Sequence, residues 1–214
     1  MANDPCQREQ AAAGLEQLAS LVRAHSWRSE GLPALPPTQA AVLRMLAGED
    51  NGLRAQQIAA RLDVSPASLS DTLKTMQAKG WIARRTDAGD RRATIVHLSK
   101  QGRALAARLK HPARGMAALL QGLDAADVGA LLRVAQLLVG KAQQQGMATG
   151  LRTCLGCRFF RPFASGDAAQ PHVCGFLGTP FGDAELRADC ADQSPADAPL
   201  RVANRERFQL RAPP

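Results

Sequence analysis

"SPASLSDTLKTMQAKGWIARRTDAGDRRATIVHLSKQG", Ser65–Gly102, changes its hydrophobic period part-way along. Ser65 stands where a helix needs an N-cap oxygen, Pro66 fits a first turn, and Gly80 suits a left-handed stop. The spacing therefore predicts a helix between them, with Leu69, Leu73 and Met76 on its buried stripe. Beyond Gly80 the pattern predicts two strands, "WIARR" and "ATIVHL", around the polar loop "TDAGD". In "TIVHL", Thr94, Val96 and Leu98 share one face, and Ile95 and His97 the other. Arg84, Arg85, Arg91 and Arg92 crowd this hairpin.

Upstream, "LRAQQIAARLDV" predicts a short helix burying Ile58 and Leu62. Joined through "DVS" to the next helix, it has the spacing of a helix-turn-helix. "PTQAAVLRMLAGED" predicts another helix, followed by a turn at Asn51 and Gly52. Ala11, Leu15, Leu18 and Val22 mark a first amphipathic helix that ends before "EGLPALPP". Downstream, helical pattern runs from Ser99 to about Gln121, with Pro112 bending or interrupting it. Asp124 can cap the next helix, and Leu123 can pack on Val128 as a hydrophobic staple. Leu131, Leu132, Ala135, Leu138 and Val139 carry that helix to about Gln145. "QQQGMATG" then breaks the pattern. The expected organisation is a helical domain over 8–146, a cysteine-rich module over 151–192 and a loosely ordered tail over 193–214.

At 214 residues and 45% hydrophobic, the chain can build a core, which excludes wholesale disorder. A net charge of +8 points to a polyanionic partner, either nucleic acid or an anionic surface. No apolar run approaches the roughly 20 residues that span a bilayer, so no membrane role is expected. "MANDPCQREQ" lacks the pattern of a secretory signal. The expected compartment is the cytoplasm, where clustered cysteines suggest metal before disulfides. No nucleotide loop or acid–base pair stands out, so an enzyme is not expected.

The block from "LPPTQAAVLRMLAGED" to "ATIVHLSKQGRAL" resembles the MarR family of bacterial winged-helix transcription regulators. Its most specific piece is "RTDAGDRRATIVHLSKQG", which looks like that family's wing and the start of its next helix. The resemblance covers roughly residues 10 to 145. It implies a mainly α fold with a small β wing, and a homodimer whose outer helices pair while two winged helices grip successive DNA half-sites. It also implies repression, relieved by a small-molecule effector or by oxidation, and it gives Asp87 and Asp90 the task of holding the wing arginines.

Residue by residue, the helix face left for duplex DNA is Ser65, Ala67, Ser68, Ser70, Asp71 and Lys74, with Thr72 and Thr75 at its edge. The serines can donate to phosphates or base edges, and Ala67 can pack on a thymine methyl. Arg91 and Arg92 suit a narrow minor groove. Asp71 stands where the family often has a basic residue; it can accept from cytosine N4 or pair with a neighbouring arginine.

Four of the five cysteines, Cys154, Cys157, Cys174 and Cys190, form the spacing C-x2-C-x16-C-x15-C, among five of the six phenylalanines. So small a module buries little surface, and a bound metal is a common remedy. The expected cofactor is an Fe–S cluster of the [4Fe–4S] type, with Arg152, Arg158 and Arg161 offsetting its charge. Structural zinc is the alternative, although zinc ribbons more often carry two CxxC knuckles. Unliganded thiols or disulfides make a third reading. His172 is either a replacement ligand or part of a surface loop. Cys6 has no tyrosine to assist a sensor role, because the chain contains none. His25, His97 and His111 show no catalytic spacing, and His25 and Trp27 are expected to pack near the dimer or an inter-domain cleft. The combined expectation is a DNA-binding repressor modulated through the cysteine module. A ligand-released repressor with structural zinc, and a redox protein docked by its winged helix, are the alternatives.

Overall fold

A computed structural model describes residues 5–27, 35–87, 89–90, 93–109 and 115–210. The chain begins with α1 (Pro5–Trp27), α2 (Pro37–Leu46), β1 (Leu53–Arg54), α3 (Ala55–Leu62) and α4 (Pro66–Ala78). It continues through β2 (Ile82–Thr86), β3 (Thr94–Leu98), α5 (Lys100–Leu109), α6 (Gly115–Leu120) and α7 (Ala125–Gln144). A 3-10 turn at Cys154–Gly156 then leads to β4 (Phe160–Arg161), β5 (His172–Cys174) and β6 (Thr179–Phe181). A second 3-10 turn at Asp183–Glu185 precedes α8 (Ala198–Gln209). Pro112 and His111 lie outside the described residues, as do the side chains of His25 and Trp27.

Two compact units result: 1–53 with 70–121, and 54–69 with 122–214. In the first, β2 and β3 pair antiparallel from Ile82↔Leu98 to Thr86↔Thr94. The sheet order is β1-β3-β2. Val96 and Leu98 are buried on the expected face, while Thr94, at the wing end, is exposed. Gly52 has φ +74°, and a Cβ there would stand 2.4 Å from the Val96 carbonyl oxygen. Only glycine lets the chain enter β1 so close to β3. Val42, Leu43, Leu73 and Met76 are buried in this unit. On α1, Leu15, Leu18, Leu21 and Val22 remain exposed.

The second unit is built on α7. Asp124 caps it, accepting from the Asp127 N–H at 2.8 Å. Leu132 and Leu137 pack against a core of Leu155, Phe160, Leu186 and Phe208. The module is more regular than expected, with an antiparallel sheet in the order β4-β5-β6.

The loosely ordered tail expected over 193–214 is corrected by α8. Asp197 caps that helix through the Leu200 N–H at 2.9 Å. Asn204 and Phe208, four residues apart, face inward and are buried. Asn204 donates to the Phe160 carbonyl at 3.1 Å. Only one of these two anchoring side chains is apolar, so the segment reads as polar until its partner is known. Among the described residues, no helix is long and apolar enough to cross a membrane. Phe208→Ala should cost about 3–5 kcal/mol by chemical denaturation. A loss near the roughly 0.5 kcal/mol of a surface substitution would contradict the docking of α8.

Candidate DNA-binding face and four-cysteine site

On α4, Ser65, just before this helix, and Ala67, Ser68, Asp71 and Lys74 within it are exposed and Ser70 is half-buried, while Leu69, Leu73 and Met76 are buried. Ser65 Oγ accepts from the Ser68 N–H at 3.2 Å, which makes it a cap as well as a surface residue. Asp71 has Lys74 beside it at 3.2 Å rather than an arginine, and the pair is exposed. Thr75 Oγ1 donates to the Asp71 carbonyl at 3.0 Å. In the wing, Asp87 Oδ1 accepts from the Gly89 N–H at 2.9 Å, and Ala93 donates to the Asp90 carbonyl at 2.8 Å. These bonds give both aspartates a part in the turn itself. Arg91 and Arg92 lie outside the described residues. Arg85 donates to the Asn51 carbonyl at 2.9 Å, and Arg84 is exposed.

Cys154, Cys157, Cys174 and Cys190 all line one cavity of about 240 Å³. They come from the first 3-10 turn, the residue after it, the end of β5 and the loop before α8. None is in a disulfide. Burial pushes the Cys154 thiol up to about 11; the Arg187 N–H opposes the shift, and the thiols of Cys190, Cys157 and Cys174 add to it. That N–H lies 3.3 Å from Cys154 Sγ. Among the described residues, no group of three or more His, Cys, Asp and Glu side chains is arranged to hold a metal ion.

A residue outside the sequence reading organises this site. Gln136, on α7, is 1% exposed. Its Oε1 accepts from the Leu155 N–H at 2.9 Å, and its Nε2 donates to the Arg187 carbonyl at 2.9 Å. One carboxamide thus joins the two loops that flank Cys154. The signal was available, since Gln136 lies four residues after Leu132 and three before Val139, inside the apolar stripe.

His172 is neither a surface residue nor among the side chains lining the cysteine cavity. It is fully buried and contacts the rings of Phe160, Phe163, Phe181 and Phe208. Nδ1 accepts from the Phe163 N–H at 3.3 Å, so Nε2 is the donor to Asp183 at 2.7 Å. Arg133 of α7 lies 3.8 Å from the same carboxylate, 4.3 Å over the Phe208 ring, and donates to the Phe208 carbonyl. The arginines expected at the cluster are engaged elsewhere. Arg152 grips Asp189 at 2.7 and 3.0 Å, Arg158 stacks on Phe159, and Arg161 donates to the Arg158 carbonyl. Arg187 lines the cavity instead.

The lead into the module meets α3. The N–H groups of Asp63 and Val64 both turn back to the Ala59 carbonyl. The next carbonyl, that of Ala60, accepts from the Gly150 N–H at 3.3 Å. A Cβ on Gly150 would stand 2.7 Å from the Arg61 nitrogen, so the two backbones touch.

Residues 35–93 match the MarR family. No curated protein matches the chain. Among solved structures, the chain is similar to the transcriptional regulator SlyA at 19% identity, over 60% of this chain and 87% of that one, TM-score 0.48. It is similar to CouR from Rhodococcus jostii RHA1, bound to p-coumaroyl-CoA, at 21% identity, over 55% and 82%, TM-score 0.49. FabT from Streptococcus pneumoniae, in complex with DNA, shows 21% identity over 58% and 88%, TM-score 0.47. The MarR match holds α2 to β2, and β3, α7 and the cysteine module lie beyond it.

Gln136→Met keeps the bulk but orphans the buried Leu155 N–H, while the Arg187 carbonyl keeps the Cys154 N–H at 3.3 Å. An orphaned buried donor costs about 1–3 kcal/mol, so urea unfolding should show a loss of stability of that size. An unchanged midpoint would mean that Gln136 does not join the two loops.

Proposed function

We propose that the protein is a homodimeric, duplex-DNA-binding transcription regulator, acting as a repressor, whose affinity is set by a [4Fe–4S] cluster held by Cys154, Cys157, Cys174 and Cys190. The polar, exposed face of α4 beside an antiparallel hairpin, on a chain of net charge +8, supports the DNA-binding part. Exposed apolar side chains stand on α1 in one unit, and Leu131, Val134 and Leu138 on α7 in the other; each set calls for a cover, which a second copy would supply.

The observation that carries the cofactor is four thiols around a single cavity. A lone zinc ion draws its sulfurs to about 3.8 Å of one another, by tetrahedral geometry at a Zn–S distance of 2.3 Å. A cavity of about 240 Å³ has room for a larger body. When bound, such a cluster exchanges single electrons and is sensitive to oxidants. The chain's own residues carry the consequence outward. Gln136 holds both Cys154 loops to α7, and Gly150, four residues before Cys154, ends α3. Loss of the cluster would loosen Cys154 and Cys190, and with them the lead that closes the first helix of the helix-turn-helix.

A second reading keeps zinc as a staple and takes a small-molecule effector as the signal. It draws on a cavity of about 370 Å³ in the winged unit, lined by Glu49, Asp50, Arg85, His97 and Arg103. His97 Nδ1 is buried there without a hydrogen-bond partner.

The test is binding to a duplex selected by the protein from a random-sequence pool, at several salt concentrations, with loaded and stripped protein purified without oxygen. Loaded protein should bind more tightly, by roughly 5–150-fold, and affinity should fall steeply with salt. Gly150→Val should keep the iron content and bring that ratio toward one. Equal affinity of loaded and stripped protein would contradict the coupling.

A further inference from the structure

Thr153 is 2% exposed and lines the cavity with the four cysteines. Its Oγ1 is buried and has no hydrogen-bond partner. The residue sits at the N-cap of the turn Cys154–Gly156, where a threonine hydroxyl ordinarily accepts a backbone N–H. No such bond forms here. The Leu155 N–H, one of the two amides a cap would take, already goes to Gln136. A buried hydroxyl without a partner is costly and calls for an explanation. The neighbouring wall suggests one, because Cys154 Sγ is met by the Arg187 N–H at 3.3 Å. One backbone donor of this wall is therefore directed at sulfur, while Gln193, also in the lining, donates to the Gly156 carbonyl at 3.1 Å.

We infer that the Thr153 hydroxyl is a hydrogen-bond donor to a sulfur of the cluster, and that it raises the cluster's reduction potential. The inference rests on the Fe–S reading above. One electron taken from a reductant adds one negative charge, which spreads over the cluster and its thiolate sulfurs. A donor fixed beside a sulfur stabilises that extra charge more than it stabilises the oxidised form. Hydrogen bonds to the sulfurs are one of the levers that set such potentials. Thr153 is thus a positioning and tuning residue, and the cysteines remain the ligands.

The experiment is a redox titration of the full chain, purified without oxygen, with dithionite as reductant and ferricyanide as oxidant. Visible absorption follows the couple, and iron, zinc and acid-labile sulfide are measured on each sample. Thr153→Val keeps the shape and removes the hydroxyl, Thr153→Ala removes it with less bulk, and Thr153→Ser retains it. The expected result is full iron and sulfide in all variants, a midpoint shifted negative for valine and alanine, and a wild-type midpoint for serine. A fully loaded valine or alanine chain with the wild-type midpoint would overturn the inference while leaving the cluster in place. Failure of both hydroxyl-free chains to load, with serine loading normally, would make Thr153 an assembly residue and overturn the tuning role. Zinc without iron or sulfide in the wild-type chain would instead overturn the cofactor reading, and this inference with it.

Discussion

The carboxamide of Gln136 is buried on α7 and uses both of its ends, accepting from Leu155 and donating to Arg187. Leu155 follows Cys154 in the chain, and Arg187 gives its own N–H to Cys154 Sγ. The two loop positions that meet at that sulfur are therefore both tied to an α-helix. Rigid helices hold functional geometry better than loops do, and a supporting hydrogen-bonded shell fixes it further. Arg133, one turn earlier on α7, does the same for the other side of the module through Asp183 and Phe208. With α7 as a common frame, a small module gains the order its own core cannot supply.

The division into compact units follows the same logic. The unit that holds the cysteines also holds α3, the first helix of the helix-turn-helix. The last carbonyls of a helix need partners, and a helix end left without them frays. Ala60 finds its partner in Gly150, which only a glycine can bring that close. In our reading the order of α3 then depends on a chain segment whose far end is Cys154. In that reading a change at the cysteines would reach α3 through touching backbones.

Local signals made much of this legible in the sequence. Ser65, Asp124, Gly80 and the switch from helical to alternating period at Trp81 placed the helix-turn-helix, the hairpin and α7. The cysteine spacing picked out four thiols that the fold brings to one cavity. What escaped depended on partners distant in sequence. Asn204 and Phe208 anchor α8 on Phe160 and the module core, yet the helix itself looks polar. His172 resembled a loop residue beside Pro171 until four phenylalanine rings closed over it. Gln136 looked like an ordinary polar position because its two partners lie 19 and 51 residues away. Arg152 reads in the sequence as a counter-charge for the cysteines, but Asp189, far from it in sequence, takes it in two bonds.

The most direct test of the account is amide hydrogen exchange over α3 and the turn after it, comparing loaded with stripped full-length protein. The account predicts faster exchange in the segment from Ala59 to Val64 when the cysteine site is emptied, with β2 and β3 unaffected. Identical exchange in α3 for the two forms, with the module itself clearly loosened, would contradict it. The cysteine site would then be a local staple with no route to the DNA-binding helices.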